Sequence, residues 1–150
     1  MAQSLSKITI HVVFSTKDRK PFLSASARAD LFAYMVGILI SLDCVTIAIN
    51  GTKDHIHALI IMAKTISVSK MLEEMKGGSS RWLKSYDTNM KNFAWQAGYA
   101  AFSVSESQVP KVVDYIVKQE EHHKTTAFQD ELLLLLEKHK IKTDERYIWV

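Results

Sequence analysis

The stretch CVTIAINGTKDHIHALIIM, residues 44–62, decides the fold. Residues 44–49 (CVTIAI) are mostly β-branched and apolar, as a strand requires. Asn50-Gly51 follows, a dipeptide suited to a two-residue hairpin turn because both positions tolerate positive φ. Residues 54–62 (DHIHALIIM) form the return strand. Successive strand side chains point to opposite faces. His55 and His57 therefore share one face, while Ile56, Ala58 and Ile60 share the other and suit a core.

Working outward, residues 7–14 (KITIHVVF) read as a further buried strand, followed by a loop, STKDRKPFL. Ser24 caps a helix running to about Leu42, with Leu31, Met35, Ile38 and Leu39 on one face. Downstream, a helix spans about Ser67 to Tyr86, loosened around Gly77-Gly78. Residues 93–104 (FAWQAGYAAFSV) form a fourth extended segment, irregular near Gly98. Ser105 or Ser107 opens a helix to about His123, with Pro110 tolerated in its first turn. A last helix runs from about Phe128 to His139, and DERYIWV is a short tail. The order β-α-β-β-α-β, then two helices, spells an α+β fold. It is the ferredoxin-like, split βαβ plan: an antiparallel sheet with two helices on one face. The other face stays available for a ligand or partner.

Composition bounds the possibilities. The 150 residues suit one domain, 1–150, and 47% hydrophobic with 23% charged residues is ordinary for a globular chain. Only 5 Gly and 2 Pro argue against long linkers. The single cysteine, Cys44, excludes an intramolecular disulfide and a Cys-rich zinc site, and fits a reducing compartment. The N-terminus lacks the apolar core of a signal peptide, and no run approaches the roughly 20 apolar residues of a membrane span. A cytoplasmic protein with no membrane association is expected. The net charge of +3 says little, but Lys76, Arg81, Lys84 and Lys91 face only Asp87 between residues 76 and 91. Such a stretch binds phosphate or is a solvated surface.

Two imidazoles on one sheet face can grip a divalent ion. A chance pair at a polar sheet surface would look the same, so a third, non-adjacent ligand is needed. The helix after Ser107 supplies candidates. Val109, Val112, Val113 and Ile116 form its core stripe, and Tyr115 and Gln119, four apart, are neighbours along one flank. Gln119 can give an amide oxygen to a hard cation. A phenol with a pKa of about 10 is a poor nucleophile unless a base or metal assists it. Equally, Tyr115 could simply sit at a helix edge; only its pairing with Gln119 separates it from Tyr86 or Tyr147. His122 extends the same flank and His123 lies nearer the apolar side. Hydrolases with three alternating histidines would need a histidine where Leu59 stands. The leucines 132–136 cannot share one helix face, so some meet another surface, in the same chain or a partner.

Further stretches complete a resemblance: KGGSSRWL (76–83), WQAGYAAFSVSESQ (95–108), DYIVKQEEHH (114–123) and DERYIW (144–149). With His55-Ile56-His57 and the downstream Tyr-x-x-x-Gln helix, the chain resembles the single-tyrosine HUH transposases of the IS200/IS605 insertion-sequence family. The resemblance covers essentially the whole chain. It implies that His55, His57 and Gln119 hold Mg²⁺ or Mn²⁺ and that Tyr115 is the nucleophile. It implies cleavage and rejoining of single-stranded DNA with hairpin ends through a 5′-phosphotyrosine. It also implies a homodimer in which one subunit's tyrosine helix completes the other's histidine site. Lys76, Arg81 and Lys84 are the expected DNA-phosphate contacts, and Trp82 could stack on an unpaired base or belong to the core. His122 and His123 match a His pair after the family motif without a role assigned. The rival readings are a non-catalytic or domesticated nucleic-acid-binding module of the same fold and a metal-dependent hydrolase of small phosphates. The first would not need His55, His57, Tyr115 and Gln119 together. Nor does the first strand carry the aromatic signature of RNA-binding sheets: Phe14 stands alone at its end.

Overall fold

The computed structural model describes residues 2–150. Four strands, β1 (Ile8–Ser15), β2 (Val45–Gly51), β3 (His55–Met62) and β4 (Ala100–Ser103), form one sheet in the order β2-β3-β1-β4. All three neighbouring pairs are antiparallel. This is the ferredoxin-like arrangement expected, with α1 (Ala25–Ser41) and α2 (Val68–Tyr86) as the two crossovers. Ser24 and Ser67 cap these helices, their hydroxyls accepting from the amides of Ala27 and Lys70. Each cap satisfies one of the amides that a helix start leaves without a partner.

Strand alternation sorts the residues as read. Ile10, Val12 and Phe14 of β1 and Ile56, Ala58 and Ile60 of β3 pack against Leu31, Met35 and Leu39 of α1 and Met71, Leu72 and Met75 of α2. The opposite face carries His11, Val13, His55 and His57. It is covered, which the sequence reading did not anticipate. Phe128, Leu132 and Leu136 of α5 (Phe128–Lys138) close over Val13 and Phe102. The leucine run therefore packs largely within its own chain, leaving Leu134 exposed.

Several boundaries differ from the expectations for physical reasons. Asn50-Gly51 is not the turn. Both residues stay in β2, paired with His57 and Ile56, and residues 52–54 make the reversal. Gly51 has a negative φ; it is needed because a Cβ there would collide with the His55 carbonyl oxygen. α2 is not loosened at Gly77-Gly78. Gly78 instead lets α1 come close: a Cβ would lie 2.8 Å from Ile38 Cδ1. Only residues 100–103 of the fourth extended segment are strand, with Trp95 making an isolated bridge to Thr16. The helix expected to reach His123 is two pieces, α3 (Val109–Val117) and α4 (Gln119–His122), parted at Lys118 (φ −96°, ψ 21°). The tail adds a short α6 (Glu145–Ile148).

Candidate active site

The site lies between the β1–β3 face and the C-terminal helices. His55 and His57 are fully buried, held by their positions in β3, and one more helix end is fixed to the sheet nearby. Asn50 Nδ2, at the end of β2, donates to the last carbonyls of α3, Ile116 at 3.0 Å and Val117 at 3.1 Å. That clamp sets α3 across the sheet edge and turns Tyr115 toward the histidines.

Four groups converge on one carboxylate. Glu131 Oε1 lies 2.8 Å from His57 Nε2, 3.2 Å from His123 Nε2 and 3.7 Å from His55 Nε2. The His123 contact lacks hydrogen-bond alignment, leaving that nitrogen without a directed partner. The other carboxylate oxygen, Oε2, accepts a hydrogen bond from the Tyr115 hydroxyl. Gln119 Oε1 stands 3.2 Å from His55 Nε2. The structure thus gathers the expected His55, His57, Gln119 and Tyr115 within one chain and adds Glu131.

Each histidine is also held from behind. His55 Nδ1 faces Asp54 Oδ1 at 2.7 Å and Thr52 Oγ1 at 3.0 Å. His57 Nδ1 is hydrogen-bonded to His11 Nε2 at 2.8 Å. Such partners fix ring orientation and tautomer in metal-binding histidines. Burial pushes His57 down to about 4, against the pull of Glu131, and His11 down to about 3. Both are neutral at physiological pH, the state a ligating imidazole needs. For His123 burial lowers the pKa, but the Glu131 carboxylate outweighs it and the net shift is upward. Burial raises the Tyr115 phenol, and the Glu131 carboxylate raises it further. Glu131 itself is held far below the usual carboxylate range: burial opposes this, and the close contact of His123, together with the hydrogen bonds to His57 and Tyr115, prevails.

Glu131, His11, Asp54 and His123 are the contributors that sequence reasoning missed or left without a role. Glu131 had a legible signal. It falls within the spacing 128, 131, 132, 135, 136, the apolar stripe of α5, where an acid is costly without partners. Alternation places His11 on the His57 face, and Asp54 adjoins His55. His122 packs against Tyr115, ring centroids 4.8 Å apart and planes tilted by 31°.

The expected phosphate contacts lie elsewhere. The Lys76 ammonium donates to the carbonyls of Gln96 (2.7 Å), Ala97 (3.2 Å) and Gly98 (2.8 Å), and burial lowers its pKa to about 8. It fastens the loop before β4 rather than facing solvent. Arg81 and Lys84 are exposed on α2, across the sheet from the histidines. Between them Trp82 is stacked by Tyr34 (5.0 Å) and Tyr86 (4.7 Å).

A four-stranded 2-3-1-4 sheet with helices on both faces is the fold of the single-tyrosine transposases. The IS200-like transposase family matches residues 4–119, and the chain belongs to that family, whose members cut DNA. A protein from Deinococcus radiodurans R1 described as a transposase superposes with a TM-score of 0.62 at 20% identity, over 79% of this chain and 98% of that one. A REP-associated tyrosine transposase bound to a REP hairpin gives 0.61 at 16% identity, over 82% of this chain and 74% of that one. No curated protein matches the sequence.

Proposed function

We propose that this protein, one domain over 1–150, cleaves and rejoins single-stranded DNA at insertion-sequence ends marked by hairpins, with Tyr115 as nucleophile. The observation that carries this reading is the meeting of the Tyr115 hydroxyl and both β3 histidines around Glu131, with Gln119 Oε1 beside His55. Tyr115 Oη bonds to the scissile phosphorus as the P–O3′ bond breaks. The hydrogen bond to Glu131 Oε2 aims the phenolic oxygen; the phenolic proton leaves to solvent as the bond forms, and the departing O3′ takes a proton from solvent. The products are a 5′-phosphotyrosine and a free 3′-hydroxyl. The covalent link conserves the phosphodiester for rejoining by the reverse exchange.

The donor set suits a divalent cation. One ligand atom each from His55, His57 and Glu131 fall within 4.8 Å of one another. Gln119 Oε1 adds a neutral oxygen beside His55. Two neutral imidazoles with oxygen donors fit Mn²⁺ well and Mg²⁺ acceptably. When bound, the cation supplies charge stabilisation at the scissile phosphate. His11, Asp54 and Thr52 orient the rings that would hold it.

Because the Tyr115–Glu131–His57 contact lies within one chain, it supports attack in cis; the shared-site homodimer implied by the resemblance is not needed for these contacts. Exposed Arg81 and Lys84 remain the proposed contacts for hairpin phosphates, whereas Lys76 is otherwise engaged. No helix among the described residues is long and apolar enough to cross a membrane, which suits work on DNA in the cytoplasm of a bacterium or archaeon.

The test is incubation with labelled, hairpin-bearing single-stranded DNA and Mg²⁺ or Mn²⁺, followed by denaturing electrophoresis. A protein–DNA adduct should form, and Tyr115→Phe should abolish it while hairpin binding persists. An adduct that survives Tyr115→Phe overturns the nucleophile. Tight hairpin binding with no adduct under any metal would instead establish the non-catalytic binding reading.

A further inference from the structure

Two clefts flank the carboxylate–imidazole cluster, and only one of them reaches the tyrosine. One, of about 640 Å³, is lined by Arg28, Lys53, Asp54 and His123. The other, of about 770 Å³, runs between α3 and α5 and has Tyr115 and Glu131 at its floor. Val112 of α3 and Leu134 and Leu135 of α5 give it apolar walls, and Lys111 and Lys138 stand on its two sides. Both lysines are exposed, and neither is in an ion pair among the described residues. Glu106, in the 3-10 turn that leads into α3, is paired with Lys7 at 3.0 Å.

We propose that this α3–α5 cleft is a nucleotide subsite. It takes the single-stranded nucleotide whose 5′ phosphate becomes bonded to Tyr115, with the base between the apolar walls and Lys111 and Lys138 holding the next phosphate. The assignment rests on the transesterification proposed above and fixes the strand's direction within it. Attack leaves the 3′ fragment tethered to Tyr115 Oη, so that fragment must lie in the space the tyrosine opens into. The leaving 3′-hydroxyl strand lies on the opposite side of the phosphorus, away from this cleft. The volume falls in the range of small-molecule sites. Apolar walls with unpaired cations suit single-stranded nucleic acid, since a base face is covered by apolar surface and phosphates require cations. Leu134, 62% exposed on the cleft wall, is the kind of surface a base covers.

The probe is 5′-phosphorylated tetrathymidylate, with the 3′-phosphorylated isomer as comparison, titrated calorimetrically into the full chain without added metal. Lys111→Ala/Lys138→Ala should weaken the 5′-phosphorylated probe at least about tenfold. It should also make the log–log salt slope shallower by about 0.7, the value for the one single-strand phosphate that the lysine pair holds. Leu134→Glu, which places a carboxylate on the exposed wall, should weaken it in the same sense. The 3′-phosphorylated isomer, which lacks the 5′ phosphate that sits at Tyr115, should bind more weakly than the 5′-phosphorylated probe; equal binding of the two overturns the strand direction. Thermal melts confirm that these surface variants stay folded. Unchanged affinity in both variants overturns the subsite, as does loss confined to a Lys53→Ala/Lys124→Ala variant of the other cleft. An adduct on hairpin DNA that forms normally with a silent lysine pair refutes the subsite alone. A lysine-dependent probe with no adduct on any substrate refutes the transesterification and leaves the subsite standing.

Discussion

Burying two neutral histidines makes the fold sensitive to acid, and the size of the effect follows from the site. In the unfolded chain both titrate near the ordinary value of about 6.5. In the fold His57 sits at about 4 and His11 at about 3, chiefly because burial disfavours the imidazolium. Their unfolded forms therefore bind protons before the native forms do. Stability is full above about pH 6.5 and is lost as pH falls toward the folded values. From pH 7 to pH 5 each group forfeits about 2 kcal/mol, since each pKa unit of difference is worth about 1.4 kcal/mol. Together they remove about 4 kcal/mol from a total that is typically 5–15. His123, whose pKa is raised, works in the other direction and returns part of this. Urea unfolding at pH 7, 6 and 5 measures it. The His11→Leu variant should start less stable, because His57 Nδ1 loses its partner, yet lose only about half as much between pH 7 and 5. A wild-type midpoint that does not move over this range would refute neutral burial of the pair.

The remaining expectations are more local. Glu131→Gln should weaken Mn²⁺ binding in calorimetry at least about tenfold and abolish the covalent adduct, because the charge at the centre of the cluster is gone; unchanged Mn²⁺ affinity would remove Glu131 from the ligand set. Lys76→Met should cost about 1–3 kcal/mol in urea unfolding, for it strips three carbonyls of their donor, while hairpin affinity measured by anisotropy stays within about twofold. Gly51→Ala should destabilise by more than about 2 kcal/mol through its collision with the backbone of β3. By contrast Gly37→Ala, in a helix with open space around it, should gain about 0.5–1 kcal/mol. Equal effects at the two glycines in thermal melts would contradict the packing described.

The sheet and its two crossover helices were legible because their hydrophobic periods are unambiguous and their serine caps sit where the helices begin. His55 with His57, and Tyr115 with Gln119, stood out as two local pairs, alternate in a strand and one turn apart near the α3–α4 junction; spacing left each open, and the family resemblance joined them. What escaped was whatever depends on distant packing. Gly51 carries a turn signal, but close approach of β3 determines its use. Gly77-Gly78 reads as a weak point until α1 is placed beside it. Lys76 looks like any surface cation until the loop at residues 96–98 folds over it. Glu131 is 74 residues from His57, and only the docking of α5 on the sheet brings them together; its place in an apolar stripe was the one local clue.

The hydroxyl and the imidazoles reach each other without help from a second molecule. If transesterification runs through that contact, turnover per polypeptide should stay flat on serial dilution, down to concentrations where encounters between copies are rare. A lone copy near one DNA end would then be competent to act, and mixing a Tyr115→Phe chain with a His57→Ala chain should restore nothing.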